Sequence, residues 1–203
     1  MVGLFLALLA SYIVGSVPFG FITGRLLGVD VRRRGSGNVG ATNVLRLMGP
    51  TAAVPVLLLD AAKGVAAVYL GRTLATGVDP AWAGTLAGMA AIIGHNWSVF
   101  LGFKGGKGVA TSAGAALMLI PRHVLLGLVV FVAVVAVTRY VSLGSLLGAV
   151  ATAIYVLVAP AAAAHKVLGV AAALFILVRH RSNIRRLLAG QESRLGQRAG
   201  PRS

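Results

Sequence analysis

Most of the groups in this chain that could do chemistry fall in a few short stretches. The first, "RRRGSGNVGATNVLR" (32–46), sets Ser36, Asn38, Thr42 and Asn43 among Gly35, Gly37 and Gly40 and closes on Arg46. Glycines let backbone N–H groups approach an anion, the hydroxyls and amides add donors, and an arginine supplies a two-pronged fork for phosphate. The second, "GFKGGKGVATSAG" (102–114), places Lys104 and Lys107 among Gly102, Gly105, Gly106 and Gly108 and runs into Thr111 and Ser112 at a predicted helix start. That too is the make-up of an anion cradle. "SLGS" (142–145) opens a further helix with Ser142 and Ser145, which suit either an anion or ordinary N-caps. In "RHRSNIRRLLAGQE" (179–192), His180 and Asn183 share a helix face with Arg181 and Arg185 beside them. The arginines alone would also suit a basic helix on anionic lipid.

Other chemistries are excluded by context. Gly35–Gly40 has the G-x-G-x-x-G spacing of a dinucleotide turn, but three arginines precede it instead of a strand. The acid at the right distance, Asp60, falls inside an apolar run. Residues 101–108 miss a P-loop at both ends, with Leu101 in place of the first glycine and Gly108 where Ser or Thr is required. The only acids are Asp30, Asp60, Asp79 and Glu192, too few for paired-carboxylate hydrolysis or a Mg²⁺ cage. There is no cysteine, hence no thiolate metal site and no Cys nucleophile. No metal and no cofactor is expected. Asp60 and Lys63 pair on one helix face, as a structural ion pair or as a functional one. His95, beside Asn96 and Trp97, suits a structural or interfacial role as well as a functional one, and His123 and His165 flank the opposite loops.

The elements that must position these groups are membrane helices. The 203 residues are 58% hydrophobic and only 11% charged, well below the roughly 25% charged residues of a soluble domain. Apolar runs at about 2–24, 51–70, 81–101, 109–120, 123–138, 142–162 and 167–178 predict an all-α polytopic membrane protein of about seven spans. The fourth and seventh are the shortest. Residues 1–24 lack a basic n-region and an A-x-A-like cleavage site, so they read as a retained first span.

With seven spans, 15 of the 19 Lys and Arg fall on one side, which places the N-terminus outside and the C-terminus in the cytoplasm. The net charge of +15 is distributed as topology distributes it, and no nucleic-acid partner is expected. The second, fourth and sixth spans then start on the cytoplasmic side, so three helix N-termini can converge on one anion there. Residues 1–192 read as a single membrane-embedded domain and 193–203 as a basic, disordered tail. A transporter of a phosphorylated solute and a binder of anionic lipid are the competing readings, although polar residues gather on one face only.

Taken together, "SVPFGFITGRLLG", "RRRGSGNVGATNVLR", "GHNWSVFLGFKGGKGVATSAG" and "HRSNIRRLLAGQE" resemble the bacterial acyl-phosphate-dependent glycerol-3-phosphate acyltransferases, from about Ser11 to Glu192. The resemblance implies an inner-membrane enzyme with its active site on the cytoplasmic face. Such an enzyme moves a fatty acyl group from acyl phosphate to the 1-hydroxyl of sn-glycerol 3-phosphate, the first acylation of phospholipid synthesis. Its products are lysophosphatidic acid and phosphate. No protein partner is required, and membrane lipids surround it. The His-x₄-Asp pair of other glycerolipid acyltransferases is missing, since Phe100 and Arg185 stand fifth after His95 and His180.

Under that resemblance His180, Asn183, Ser36 and Lys104 are the expected catalytic residues. Ser36, Gly37, Asn38, Gly40, Thr42, Asn43, Arg46, Lys104, Lys107, Thr111, Ser142, Ser145 and Arg181 are expected to hold substrate phosphates. The base is either His180 or a phosphate of the substrate.

Overall fold

The computed structural model describes residues 1–197, which are helical and contain no strand. The first apolar run does not form one helix. Pro18 lacks a backbone N–H, so the chain breaks into α1 (Val2–Ser16) and α2 (Phe19–Leu26). The carbonyls freed at the break are taken up by other elements: Ser98 Oγ donates to Ser16 O (2.6 Å) and Lys63 Nζ to Val17 O (2.8 Å).

A loop leads to the short amphipathic α3 (Ala41–Met48), which ends at Gly49 and turns into α4 (Pro50–Leu74). Next comes α5 (Pro80–Asn96), whose Asp79 side chain caps the N–H groups of Ala81 and Trp82. A single 3₁₀ turn, Val99–Leu101, precedes α6 (Val109–Leu119). The chain continues through α7 (Pro121–Thr138), α8 (Val141–Val158), α9 (Ala163–Arg179) and α10 (Arg181–Leu188), the last bent 61° away from α9.

Each expected apolar run is therefore met by helix, with moved boundaries. The run 81–101 stops being α-helix at Asn96, and 142–162 stops at Val158. Among the described residues four stretches are fit by length and composition to cross a membrane, Val2–Leu26, α4, α7 and α8, and a fifth if α9 and α10 count as one bent span. At 11 residues α6 has about half the roughly 20 residues a crossing takes.

The long α4 is the hub, packing on α1, α2, α3, α5 and α6, while α7 pairs with α8 and α9 lies against α5 and α8. Small residues let these backbones meet. A Cβ on Gly64 would lie 2.1 Å from the Thr111 carbonyl oxygen, and one on Gly114 2.0 Å from that of Ala61, so α4 and α6 touch through glycine on both sides. Val68, Ile92, Ala115, Leu119 and Leu168 form the buried core between α4, α5, α6 and α9. Phe5, Leu58, Leu128, Val129, Ile154 and Leu174 remain exposed on the outer faces, as suits helices that meet lipid instead of water.

Residues 191–197 fold back against the bundle. Leu195 N–H donates to Arg139 O (2.7 Å), and Arg139 Nη2 returns a bond to Leu195 O (2.8 Å). What remains of the expected disordered tail, 198–203, lies outside the described residues.

Candidate active site

The loop before α3 is organised by one side chain. Asn43, 1% exposed, donates through Nδ2 to the carbonyls of Val31, Arg34 and Asn38 (3.0, 3.2 and 2.9 Å) and accepts the Ser36 N–H on Oδ1 (2.9 Å). Gly35 must be glycine here: its φ is +58°, and a Cβ would sit 2.4 Å from Asn43 Oδ1. Asn38 closes a smaller turn by accepting the Gly40 N–H (2.8 Å). The loop thus satisfies its own groups and delivers the start of α3, which no side chain caps, to a cavity.

That cavity, 320 Å³, has a polar head and an apolar body. The head is lined by Ser36, Asn38, Gly40, Thr42, Asn43 and Arg46 from the first stretch, Lys107 and Gly108 from the second, Ser142 and Ser145 from α8, and His180, Asn183 and Glu192 from the chain's end. Ser112, Asp60 and His95 also reach it. The body runs between α7, α8 and α9 along Val124, Leu128, Phe131, Leu168, Ala172 and Ala173. The N-terminal turns of α3, α6 and α8 all open on the head, and none has a side-chain cap. Each leaves unpaired N–H groups and about half a positive charge, a ready anion site. Three N-termini do converge, but α3 stands where α4 was expected, since α4 contributes Leu57 and Asp60 instead of its first turn.

Glu192 ties the head together. It is 6% exposed and accepts hydrogen bonds from Asn183 Nδ2 (2.6 Å), Ser142 Oγ (2.8 Å) and Arg186 Nε (2.7 Å). Burial alone would raise its carboxyl pKa, but these bonds outweigh it and hold the group below the usual carboxylate range. Asn183 Oδ1 in turn accepts from Lys107 Nζ (2.6 Å). Burial lowers the Lys107 pKa to about 8, so the ammonium is present at neutral pH but easily lost above it.

Arg46 is half-buried and bonds Ser193 O (3.3 Å). His180 sits in the break between α9 and α10, with Nδ1 2.8 Å from Ile176 O, so Nδ1 carries the proton and Nε2 keeps its lone pair. Burial, and then the Lys107 charge, hold its pKa down to about 4, which makes it a neutral imidazole.

Several expectations change on this geometry. Lys104 is exposed and off the cavity, because only the second lysine of the run is turned in at the start of α6. Gly37 and Arg181 also lie off the lining, and Arg181 is exposed at the outset of α10. Thr111 is fully buried behind the wall, where its backbone meets Gly64. Ser142 is no N-cap, since its hydroxyl serves Glu192, and Ser145 bonds back to the Val141 carbonyl (2.9 Å). Sequence reading missed Glu192 as a site residue. Its signal was a lone acid among many arginines after the last helix. Asp60 is joined by Lys63 Nζ at 2.8 Å and His95 Nδ1 at 3.6 Å, a buried group that reaches the cavity through Asp60 and His95.

A cavity with cations and helix N-termini at one end and hydrocarbon at the other fits a molecule that carries a phosphate and a long chain. Known proteins agree with that chemistry. The family model described as glycerol-3-phosphate acyltransferase matches residues 5–190. The glycerol-3-phosphate acyltransferase of Symbiobacterium thermophilum is 46% identical over 193 residues, 95% of each chain. Glycerol-3-phosphate acyltransferase 1 of Deinococcus radiodurans is 47% identical over 196 residues, 95% of this chain and 96% of the other.

Two crystal structures of PlsY, an integral membrane glycerol 3-phosphate acyltransferase, share the fold. The glycerol 3-phosphate form has a TM-score of 0.89 at 38% identity over 95% of this chain and 96% of that one. The lysophosphatidic acid form has 0.87 at 37% over 95% of each. With three of its four quoted motifs lining one polar-headed cavity, this chain belongs to the glycerol-3-phosphate acyltransferase family.

Proposed function

We propose that this chain acylates the 1-hydroxyl of sn-glycerol 3-phosphate with a fatty acyl group from acyl phosphate, giving lysophosphatidic acid and inorganic phosphate as the first acylation of phospholipid synthesis. Family membership supports the acceptor and the reaction class. The observation that carries the donor is the single cavity in which Arg46, Lys107 and three uncapped helix N-termini lead directly into the apolar body between α7, α8 and α9. Phosphates of both substrates fit the head, and the acyl chain fits the body. The transporter reading asks for a polar path onward, but the cavity between α7, α8 and α9 is lined mainly by apolar side chains such as Val124, Leu128 and Leu168.

In the reaction the acceptor oxygen forms a bond to the acyl carbon, and the bond from that carbon to the phosphate oxygen breaks. The leaving group is a good one, so positioning and charge stabilisation supply most of the catalysis. Arg46, Lys107 and the N-termini of α3, α6 and α8 offset the developing negative charge, and Ser36, Asn38 and Thr42 add donors. Asn183, fixed by Glu192 and Lys107, and His180 Nε2 orient the hydroxyl. With a pKa near 4, His180 is a poor store for a proton at neutral pH, and the departing phosphate takes it.

Residues 1–192 act as one membrane-embedded domain of seven crossings, with α1 and α2 together forming the first and α6 a short fourth. The N-terminus is outside, and the active site faces the cytoplasm from the inner membrane. The test is purified protein in detergent with glycerol 3-phosphate and palmitoyl phosphate. Lysophosphatidic acid and phosphate are expected without CoA or any other protein. Product from palmitoyl-CoA but none from palmitoyl phosphate would refute the donor.

A further inference from the structure

Arg179 belongs to no part of the site described so far. It is off the cavity lining and, in sequence, is one of many arginines at the inner end of the bundle. Its side chain nonetheless makes a specific join. Nε donates to Gly106 O (3.0 Å) and Nη2 to Gly105 O (3.0 Å), so both prongs of the guanidinium hold consecutive carbonyls of the loop before Lys107. The guanidinium also lies 5.5 Å from the centre of the Trp97 ring, which meets Phe175 of α9 edge-on at 6.1 Å. From the other side the loop is held by the Gly106 N–H, which donates to His95 O (2.9 Å). The residue after Arg179 is His180, and α10, with Asn183, follows at once.

We infer that Arg179 is a positioning residue that locks the Gly105–Lys107 loop to the His180–Asn183 segment, so that Lys107 is delivered to Asn183. A planar fork holds two adjacent carbonyls in one fixed geometry, whereas a lysine in its place offers only rotatable donors on a flexible stem. Without it, the loop keeps a single backbone anchor at His95 and glycine-rich freedom at Gly105, Gly106 and Gly108. The Lys107–Asn183 contact then has nothing to fix its geometry. The catalytic consequence rests on the acyltransferase reading above, but the placement of Lys107 can be tested apart from it.

The experiment compares wild type, Arg179→Ala, Arg179→Gln and, as a control, Arg122→Ala at the exposed start of α7. Each is treated with an amine-acylating reagent, and the rate at each lysine is read by peptide mass spectrometry. In wild type, Lys107 reacts slowly and exposed Lys104 fast, while Lys63, 3% exposed, stays protected and reports an intact fold. Arg179→Ala is expected to raise the Lys107 rate several-fold with Lys63 still protected. If Lys63 becomes reactive, the same comparison is read in Arg179→Gln, which keeps one amide donor.

Turnover with palmitoyl phosphate falls by about 100-fold, the scale of a misplacement of about 1 Å. In a Lys107→Ala background, adding Arg179→Ala costs little more, because the residue acts through Lys107. Millimolar guanidinium restores part of the lost turnover to Arg179→Ala. An unchanged Lys107 rate in a folded variant, or full additivity with Lys107→Ala, overturns the inference. Wild type that makes no product while its labelling shifts as expected overturns the proposed reaction and leaves the positioning role standing.

Discussion

Lys104 and Lys107 stand in the same glycine-rich run, yet one is exposed and the other is half-buried and bonded to Asn183 at 2.6 Å. Their fates follow from the backbone. Gly108, with φ at +76°, turns the chain into α6, and a Cβ there would press on Asn96 Oδ1 at 2.8 Å. Lys107→Ala and Arg46→Ala should each lower kcat/KM for glycerol 3-phosphate by about 10²–10³-fold, and Lys104→Ala by less than about threefold. Similar losses at both lysines would mean the exposed one does the binding. The pH profile follows from the same residue. Activity that needs the Lys107 ammonium is present below its pKa and should decline as the pH rises through about 8. The residue types of the site were legible in the sequence because phosphate chemistry demands glycines, hydroxyls, amides and cations together. Which lysine served was not legible, nor was the fact that Asn43 is spent on its own loop and Ser142 on Glu192, since these choices depend on contacts between residues as many as 76 apart.

At the level of elements, apolar composition located every long helix, because membrane helices need uninterrupted hydrocarbon and little else. It could not place their ends. The break after Ser16 is set by Pro18 and is tolerable because Ser98 and Lys63 reach the freed carbonyls, and only tertiary structure shows that pairing. The brevity of α6 is related to the site. A helix that starts at Val109 and stops at Leu119 opens its N-terminus on the cavity, which Lys107 and Ser112 line. Its position depends on the glycine contact with α4. Gly114→Leu, forced against the Ala61 carbonyl, should cost about 1–3 kcal/mol of stability. It should lower the thermal midpoint and abolish most activity, whereas Leu117→Ala on an exposed position should change neither measurably. A Gly114→Leu protein with wild-type melting and turnover would show that α6 is not held there.

For the molecule as a whole, the proposed orientation follows from charge, with 15 of 19 cations assigned to one side. The absence of cysteine makes it easy to check. Thr76→Cys, exposed in the loop between α4 and α5, should react with a membrane-impermeant maleimide on intact cells. Arg33→Cys, exposed in the loop before α3, should react only after the membrane is opened. The opposite pattern would invert the proposed topology, and labelling of both from one side would remove the proposed crossing by α4. Glu192 gives this architecture a direction in time. Among the described residues all ten α-helices precede it in the chain, so during synthesis each leaves the ribosome before the carboxylate that Ser142, Asn183 and Arg186 share. Until that residue arrives, Ser142, Asn183 and Arg186 lack the carboxylate that joins them at the head of the cavity. The placement of Asn183, and through it that of Lys107, is therefore completed only after every described helix has been made.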